Sequence, residues 1–205
     1  MIGDQTVDGS ETGTSFKQAL YFKDCGFNLH DTMIYNKMSC RYPETNRYYP
    51  CFEYMFVLSK GPPKTYNLIA DRPNKYKGSK VARKRAIRTI DGEMIENSAN
   101  RVASNRVIKD VGVRFNIWDI PSSTCEHDKL SLQHPASFPL KLAVDHILSW
   151  SNEGDLVLDL MCGSGTTCLA ALKLGRKYIG IDISEEYCKL SRKRINDYLK
   201  QGKLF

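Results

Sequence analysis

Two acids and two glycines carry the clearest chemistry in this chain. The apolar run Leu156-Val-Leu-Asp159 ends in a carboxylate and continues as Leu160-Met161-Cys162-Gly163-Ser164-Gly165-Thr166-Thr167, and a second run, Lys177-Tyr-Ile-Gly-Ile-Asp182, also ends in an acid. Gly163 and Gly165 allow a sharp turn and a close backbone approach to a ligand, because no Cβ intervenes. A helix starting directly after them offers unpaired N–H groups to the same ligand. Asp182, one strand over, stands where a carboxylate accepts both hydroxyls of a ribose. Together these residues predict a site for an adenosine-type cofactor.

The flanking residues must build the scaffold that brings these groups together. The run 156–159 reads as a buried strand feeding a glycine turn, and Thr167-Cys-Leu-Ala-Ala-Leu-Lys-Leu174 predicts a helix with Leu169, Leu172 and the alanines on one face. Gly175 is placed to end that helix in a left-handed cap. Strand, loop, helix and strand make a βαβ unit, whose crossover renders its strands parallel. Gly163-Ser-Gly165-Thr-Thr-Cys168 holds only two of the three glycines of a dinucleotide fingerprint. Asp159 before the glycines and the threonine pair after them point away from a nicotinamide site.

Asp159-Leu-Met-Cys-Gly-Ser-Gly-Thr-Thr167 resembles the S-adenosyl-L-methionine loop, often D-P-F-M-G-S-G-T-T, of the amino-methylating DNA methyltransferases that modify adenine N6 or cytosine N4. His134-Pro-Ala-Ser-Phe138-Pro139 is similar to that family's other cofactor segment, and Tyr178-Ile-Gly-Ile-Asp-Ile183-Ser-Glu-Glu-Tyr187 to its ribose-binding strand. Leu160 departs from the family's usual proline, which loosens the turn. The order, with the cofactor motifs last, is that of the permuted subgroup. The resemblance implies an α/β, Rossmann-like, S-adenosylmethionine-dependent methyltransferase fold, present in part and carrying an inserted basic target-recognition region. It implies S-adenosyl-L-methionine as cofactor, held by Phe138, Asp159, Met161, Cys162, Gly163, Ser164, Gly165, Thr166, Thr167, Asp182 and Ile183, and double-stranded DNA as partner. An RNA or protein methyltransferase would share the cofactor loop but gives no reason for the basic insert.

Methyl transfer to an exocyclic amine also needs an acceptor for the amine's hydrogen bonds and an aromatic face for the extruded base. The family supplies both with D-P-P-Y, S-P-P-Y or a close variant. The only adjacent prolines here lie in Gly61-Pro62-Pro63-Lys64, with glycine in place of the polar acceptor and lysine in place of the aromatic, so no catalytic residue is assigned. In the permuted order that motif belongs upstream of Gly3. The expectation is a truncated or split enzyme, inactive alone, with a second polypeptide as the source of the motif. The strand missing beside Asp159 would then leave a central sheet edge unpaired and apolar. The alternative is a non-catalytic remnant that binds DNA and cofactor.

The net charge of +7 over 205 residues is concentrated in the middle. Residues 60–114 hold fourteen basic and five acidic side chains, a local +9, so the remainder sums to −2. Such a segment suits contact with phosphates. Lys77, Lys80, Arg83, Lys84, Arg85 and Arg88 crowd into a dozen positions and are the expected DNA-binding residues. Apolar periodicity fails here, which leaves a helix or a mobile loop. Tyr66, Tyr76 and Trp118 are candidates for stacking on bases but more commonly pack in a core.

Other function classes find little support. The seven cysteines, at 25, 40, 51, 125, 162, 168 and 188, include no C-x-x-C pair, and Cys125, His127 and His134 fall short of the three or four convergent ligands of a metal site. The cysteines read as reduced small hydrophobes. Neither a secretory signal nor an apolar run of spanning length is present, which excludes a membrane partner and predicts a cytoplasmic protein.

The remaining elements follow in order. Thr14 and Ser15 are cap types for a helix over 16–25 that puts Phe16, Ala19 and Leu20 on one face and stops at Gly26. Segments 27–35 and 51–58 read as strands, with a loop between them. Ile117-Trp-Asp-Ile-Pro121 reads as the start of a linker, Leu140, Val144 and Leu148 as one face of a helix, and Ser184 as the cap of a last helix. The expected regions are 1–60, the later part of a catalytic half; 61–118, target recognition; and 119–205, the cofactor half.

Overall fold

The structure, a computed structural model, describes residues 3–39, 45–80, 86–96, 107–122 and 130–201. A short hairpin, β1 (Thr6–Val7) and β2 (Ser10–Glu11), leads into α1 (Thr14–Asp24). The helix is not capped by Thr14 or Ser15, which lie inside it; Gly13, at φ 61°, occupies the cap position. The hairpin brings Asp4 to the helix start instead, where its carboxylate accepts the Ser15 N–H at 3.0 Å and the Ser15 hydroxyl. These bonds hold the Asp4 carboxyl below its ordinary range. The buried face of α1 is Ser15 and Ala19, while Phe16 and Leu20, expected on one face with Ala19, are more than half exposed. Small side chains let the helix lie close on the sheet beneath it, and the Phe16 ring stays at the rim, 5.2 Å from that of Tyr54.

That sheet pairs β3 (Asn28–Asn36) with β4 (Phe52–Ser59) in antiparallel register, Thr32 opposite Phe56 and Tyr35 opposite Glu53. The third strand, β9 (Ile117–Asp119), runs parallel to β3 with Tyr35 opposite Trp118. The expected linker is therefore a strand, too short to show alternation in sequence. Trp118 is buried with Met33, Tyr35, Met55, Ile120 and Leu142, so it serves as a core residue and not a base-stacking one.

Between β4 and β9, Ile69–Phe115 forms a compact unit of its own, whose ends fall inside the 61–118 segment. Its described residues form neither a helix nor a plain loop but short ladders, β5 (Arg72–Pro73) with β8 (Val111–Gly112) and β6 (Ala86–Arg88) with β7 (Met94–Glu96), plus a bridge between Lys80 and Val107. Side chains tie it together. Arg114 pairs with Asp71, Arg72 lies 4.4 Å over the Phe115 ring and donates to the Val113 carbonyl, and Asn74 donates to the Lys109 carbonyl.

The chain returns through a 3-10 turn at Ser131–Gln133 to α2 (Leu140–Trp150), β10 (Leu156–Asp159), α3 (Thr166–Lys173), β11 (Lys177–Gly180) and α4 (Glu185–Gln201). As expected, β10 and β11 are parallel, Leu156 opposite Lys177 and Asp159 opposite Gly180, and Gly175 follows α3 at φ 72°. Helix α2 faces two ways: Leu142 joins the core of the three-stranded sheet, while Ala143 and Ile147 pack on Ala170 and Ala171 of α3. Leu140 and Val144 lie at the margin of that second cluster. Val157 and Tyr178 close it from the β10–β11 side. The opposite face of β10 is uncovered, so Leu156 and Leu158 are more than half exposed and the strand is not buried as its sequence suggested. No helix among the described residues is long and apolar enough to cross a membrane.

Candidate cofactor site

The loop between β10 and α3 is held by backbone bonds and by three charged side chains, Asp159, Asp182 and Arg194. Asp159 Oδ1 accepts the Met161 N–H at 3.1 Å, which turns the chain sharply at the strand end. Cys162 N–H then reaches back to the Ile181 carbonyl at 2.9 Å, and Ile181 N–H to the Asp159 carbonyl at 2.8 Å, extending the β10–β11 ladder past its last paired residues. Gly163 and Gly165 take left-handed φ values of 50° and 79°. Gly165 caps α3, and its carbonyl accepts the Leu169 N–H.

Asp182 braces this loop from the neighbouring strand. One carboxylate oxygen accepts the Gly163 N–H at 2.8 Å and the other the Ser184 N–H at 2.9 Å. Those N–H groups, Ser184 first, keep its carboxyl below the ordinary carboxylate range. Each oxygen retains a lone pair, so the same carboxylate can brace the loop and still accept a sugar hydroxyl. Ser184 caps α4 as expected, its hydroxyl 3.4 Å from the Tyr187 N–H.

Two residues that the sequence did not single out, Arg194 and Ser191, also hold the loop, together with His134 from the segment before Phe138. Arg194 of α4 is buried, and its guanidinium donates to the Ser164 carbonyl at 3.1 Å and to Thr166 Oγ1 at 2.9 Å. Ser191, one turn earlier, packs so tightly that a Cβ on Gly165 would lie 2.9 Å from its own Cβ. His134 sits on the other glycine: a Cβ on Gly163 would fall 2.9 Å from His134 Nε2. The His134 ring also packs edge-on to Tyr187, at 4.4 Å, and its Nδ1 accepts the Ala136 N–H at 3.2 Å, fixing the turn before Phe138. A one-turn periodicity in α4, Tyr187, Ser191 and Arg194, was the available signal. It reads as an ordinary helix face until the loop is placed against it.

Cys162, Gly163, Ser164, Gly165 and Thr166 are buried and Thr167 half-buried, while Met161 and Ile183 project into solvent on either side. Phe138 is half-buried against both core clusters that α2 bridges. Cys168 and Cys162 fill the space under Gly180, where an added Cβ would meet Cys168 Sγ at 2.6 Å. Burial pushes the Cys168 thiol up to about 12 and that of Cys162 in the same direction, so both act as packing groups and not as nucleophiles.

Of the expected DNA-binding residues, Lys77, Lys80 and Arg88 are exposed on the Ile69–Phe115 unit. Arg83, Lys84 and Arg85 lie outside the described residues, as do Cys125 and His127. Tyr66 and Tyr76 are exposed. Among the described residues no group of histidines, cysteines and acids converges as metal ligands would.

The family model described as DNA methylase, of the N6/N4 methyltransferase type, matches residues 2–193. The chain is 54% identical over 201 residues to the orphan methyltransferase M.BamHII of Bacillus amyloliquefaciens, covering 97% of this chain and 74% of that protein. Among solved structures, the PvuII cytosine-N4-specific DNA methyltransferase superimposes with a TM-score of 0.62 at 19% identity, over 95% of this chain and 65% of its own. The M1.HpyAVI complex with SAM does so with a TM-score of 0.54 at 25% identity, over 91% of this chain and 71% of its own. The Rossmann-like methyltransferase fold expected from the sequence is thus the observed one.

Proposed function

The chain belongs to the N6/N4 DNA methylase family, and on that premise we propose that it is the cofactor- and DNA-binding part of an S-adenosyl-L-methionine-dependent methyltransferase acting on an exocyclic base amine. The observation that carries this reading is the loop 159–167, a glycine turn at the carboxyl end of β10 that Asp182 and Arg194 fix in place. Both glycines adopt conformations that other residues resist, and a Cβ on either would meet His134 or Ser191. Packing on His134 and Ser191 therefore requires both glycines, and the turn they make delivers the start of α3, the helix end that favours an anionic group.

The bound cofactor supplies a methyl group on a sulfonium. The chain's own residues bind and orient it. Asp182 accepts from the ribose while fixing Gly163, and Gly163, Ser164 and Gly165 present backbone to the amino-acid end. Met161 and Ile183 flank the adenine as exposed apolar walls, and the Phe138 ring packs against the cofactor. Thr166 and Thr167 begin α3, whose N-terminal end favours negative charge.

The middle segment 61–118 is the proposed target-recognition region, with Lys77, Lys80, Arg83, Lys84, Arg85 and Arg88 on the phosphates of double-stranded DNA. Region 1–60 belongs to the catalytic half and 119–205 to the cofactor half. Calorimetric titration of the purified chain with S-adenosyl-L-methionine and with its demethylated product tests the cofactor assignment: both should release heat, and Asp182→Ala should weaken them at least tenfold. Absence of heat with either, while another nucleotide binds, would overturn it. DNA binding should fall with salt, and replacing Lys77 and Lys80 with alanine should flatten the log–log slope by about 0.9 per lost contact. An unchanged slope would remove those lysines from the interface.

A further inference from the structure

Left-handed backbone is uncommon outside glycine, and a residue with a Cβ holds it only where something around it repays the conformation. Among the described residues two do so, Asp8 at φ 50° and Met38 at φ 57°. Asp8 is accounted for: with Gly9, at φ 78°, it makes the two-residue turn of the β1–β2 hairpin, where both positions call for positive φ. Met38 has no such reason. It stands just past the carboxyl end of β3, and its side chain is 61% exposed, so neither a hairpin nor burial repays the conformation. Glycine or asparagine would sit there more readily.

The bonds around Met38 nevertheless fix it. Lys37 N–H donates to the Cys51 carbonyl at 2.7 Å, and the Lys37 carbonyl accepts the Ser122 N–H at 3.3 Å. The Asn36 side chain bonds in two directions: its Oδ1 accepts the Met38 N–H at 3.0 Å, and its Nδ2 donates to Asp119 Oδ1 at 2.7 Å. One amide thus ties Met38, after β3, to Asp119, the last residue of the parallel strand β9. Asp119 is exposed, and its Oδ2 has no partner among the described residues. Ligands of open α/β sheets bind beyond the carboxyl ends of parallel strands. An apolar side chain and an open carboxylate oxygen therefore stand together on the ligand side of this sheet.

We propose that Met38 and Asp119 form a contact for a nucleobase of the DNA. The Met38 thioether packs on the base, and Asp119 Oδ2 accepts a hydrogen bond from an exocyclic amino group, adenine N6 or cytosine N4. A carboxylate accepts and does not donate, so the contact selects a base that carries an amine over one that carries a carbonyl at the same place. Asn36 is the positioning residue for both. The contact rests on the proposed function for DNA as the ligand; the pairing of a strained, exposed methionine with an open carboxylate is independent of it.

The test uses the full chain and labelled duplexes in which one base faces an abasic position and is free to leave the stack. Adenine is compared with hypoxanthine and cytosine with uracil, each pair exchanging amine for carbonyl at one ring carbon. The chain should prefer the amine-bearing member of a pair by roughly tenfold. Asp119→Asn keeps an acceptor for Asn36 but turns an N–H toward the base, so the preference should reverse. Met38→Gly should weaken duplex binding by about tenfold, with Tm unchanged or raised and S-adenosyl-L-methionine binding as in the parent. Equal affinity for both members of each pair, a preference that Asp119→Asn leaves as it was, or a lowered Tm in Met38→Gly would overturn the contact. A parent chain that binds cofactor and duplex without discriminating amine from carbonyl overturns this contact alone, whereas one that binds neither cofactor nor duplex overturns the proposed function and the contact with it.

Discussion

Replacing Gly165 with alanine asks whether the loop is held by its backbone conformation and by α4 together. At φ 79° an alanine gives up about 1–2 kcal/mol relative to the ordinary region. Its Cβ would fall on Ser191 Oγ and lie 2.9 Å from Ser191 Cβ and 3.3 Å from Ser191 Cα, so helix and loop must part. Overpacking of this kind costs about 1–3 kcal/mol. Together these give roughly 2–5 kcal/mol, which for a chain of this size lowers Tm by about 5–15 °C. The two contributions separate in a double-mutant cycle. Ser191→Gly removes the colliding atoms but leaves φ as it was, so it should recover about 1–3 kcal/mol of the Gly165→Ala loss, beyond its own effect measured alone. Thermal unfolding of the four proteins reads the stability, and calorimetry with S-adenosyl-L-methionine reads the loop. Gly165→Ala melting within two degrees of the parent, or strictly additive effects, would refute the close approach of α4 to the loop.

Two further outcomes follow from the same packing. Arg194→Met leaves the Ser164 carbonyl and Thr166 hydroxyl without their buried donor, at a cost of about 2–3 kcal/mol, and Arg194→Lys should restore only part of it; a thermal shift under 2 °C for the methionine variant would contradict this. Because the folded state depresses the Asp182 carboxyl, its bracing of Gly163 and Ser184 is complete above the unfolded value near 3.8. It fades as pH falls through the lower folded value. Exchange of the Gly163 amide should therefore accelerate, relative to a reference peptide, only below about pH 4, and Asp182→Asn should abolish that dependence.

Much of the geometry around the candidate site was legible because its parts are local. Strand, glycine turn and helix occupy consecutive residues 156–173, and the second acid follows within one crossover, so spacing alone brings Asp182 to Gly163. Glycine's conformational freedom also announces itself in sequence, and Gly163, Gly165 and Gly175 adopt the positive φ that their positions suggested. The middle unit was opaque for the opposite reason. Its strands of two or three residues are too short to show alternation, and they are stitched by side-chain-to-backbone bonds across some forty positions, such as Arg72 to Val113.

Sequence by itself determined the order of the motifs, the parallel βαβ unit and the carboxylate-and-glycine chemistry, since each depends on residues close along the chain. Only the tertiary structure decided which neighbours complete it. Gly13 rather than Thr14 caps α1, with Asp4 on the Ser15 amide, Trp118 closes a core rather than facing a base, and Arg194 and Ser191 reach the loop from about thirty residues away. It also decided that Leu156 and Leu158, apolar residues in a strand, face solvent: hydrophobicity requires a partner surface, and which surface is present is settled by packing, not by the residue.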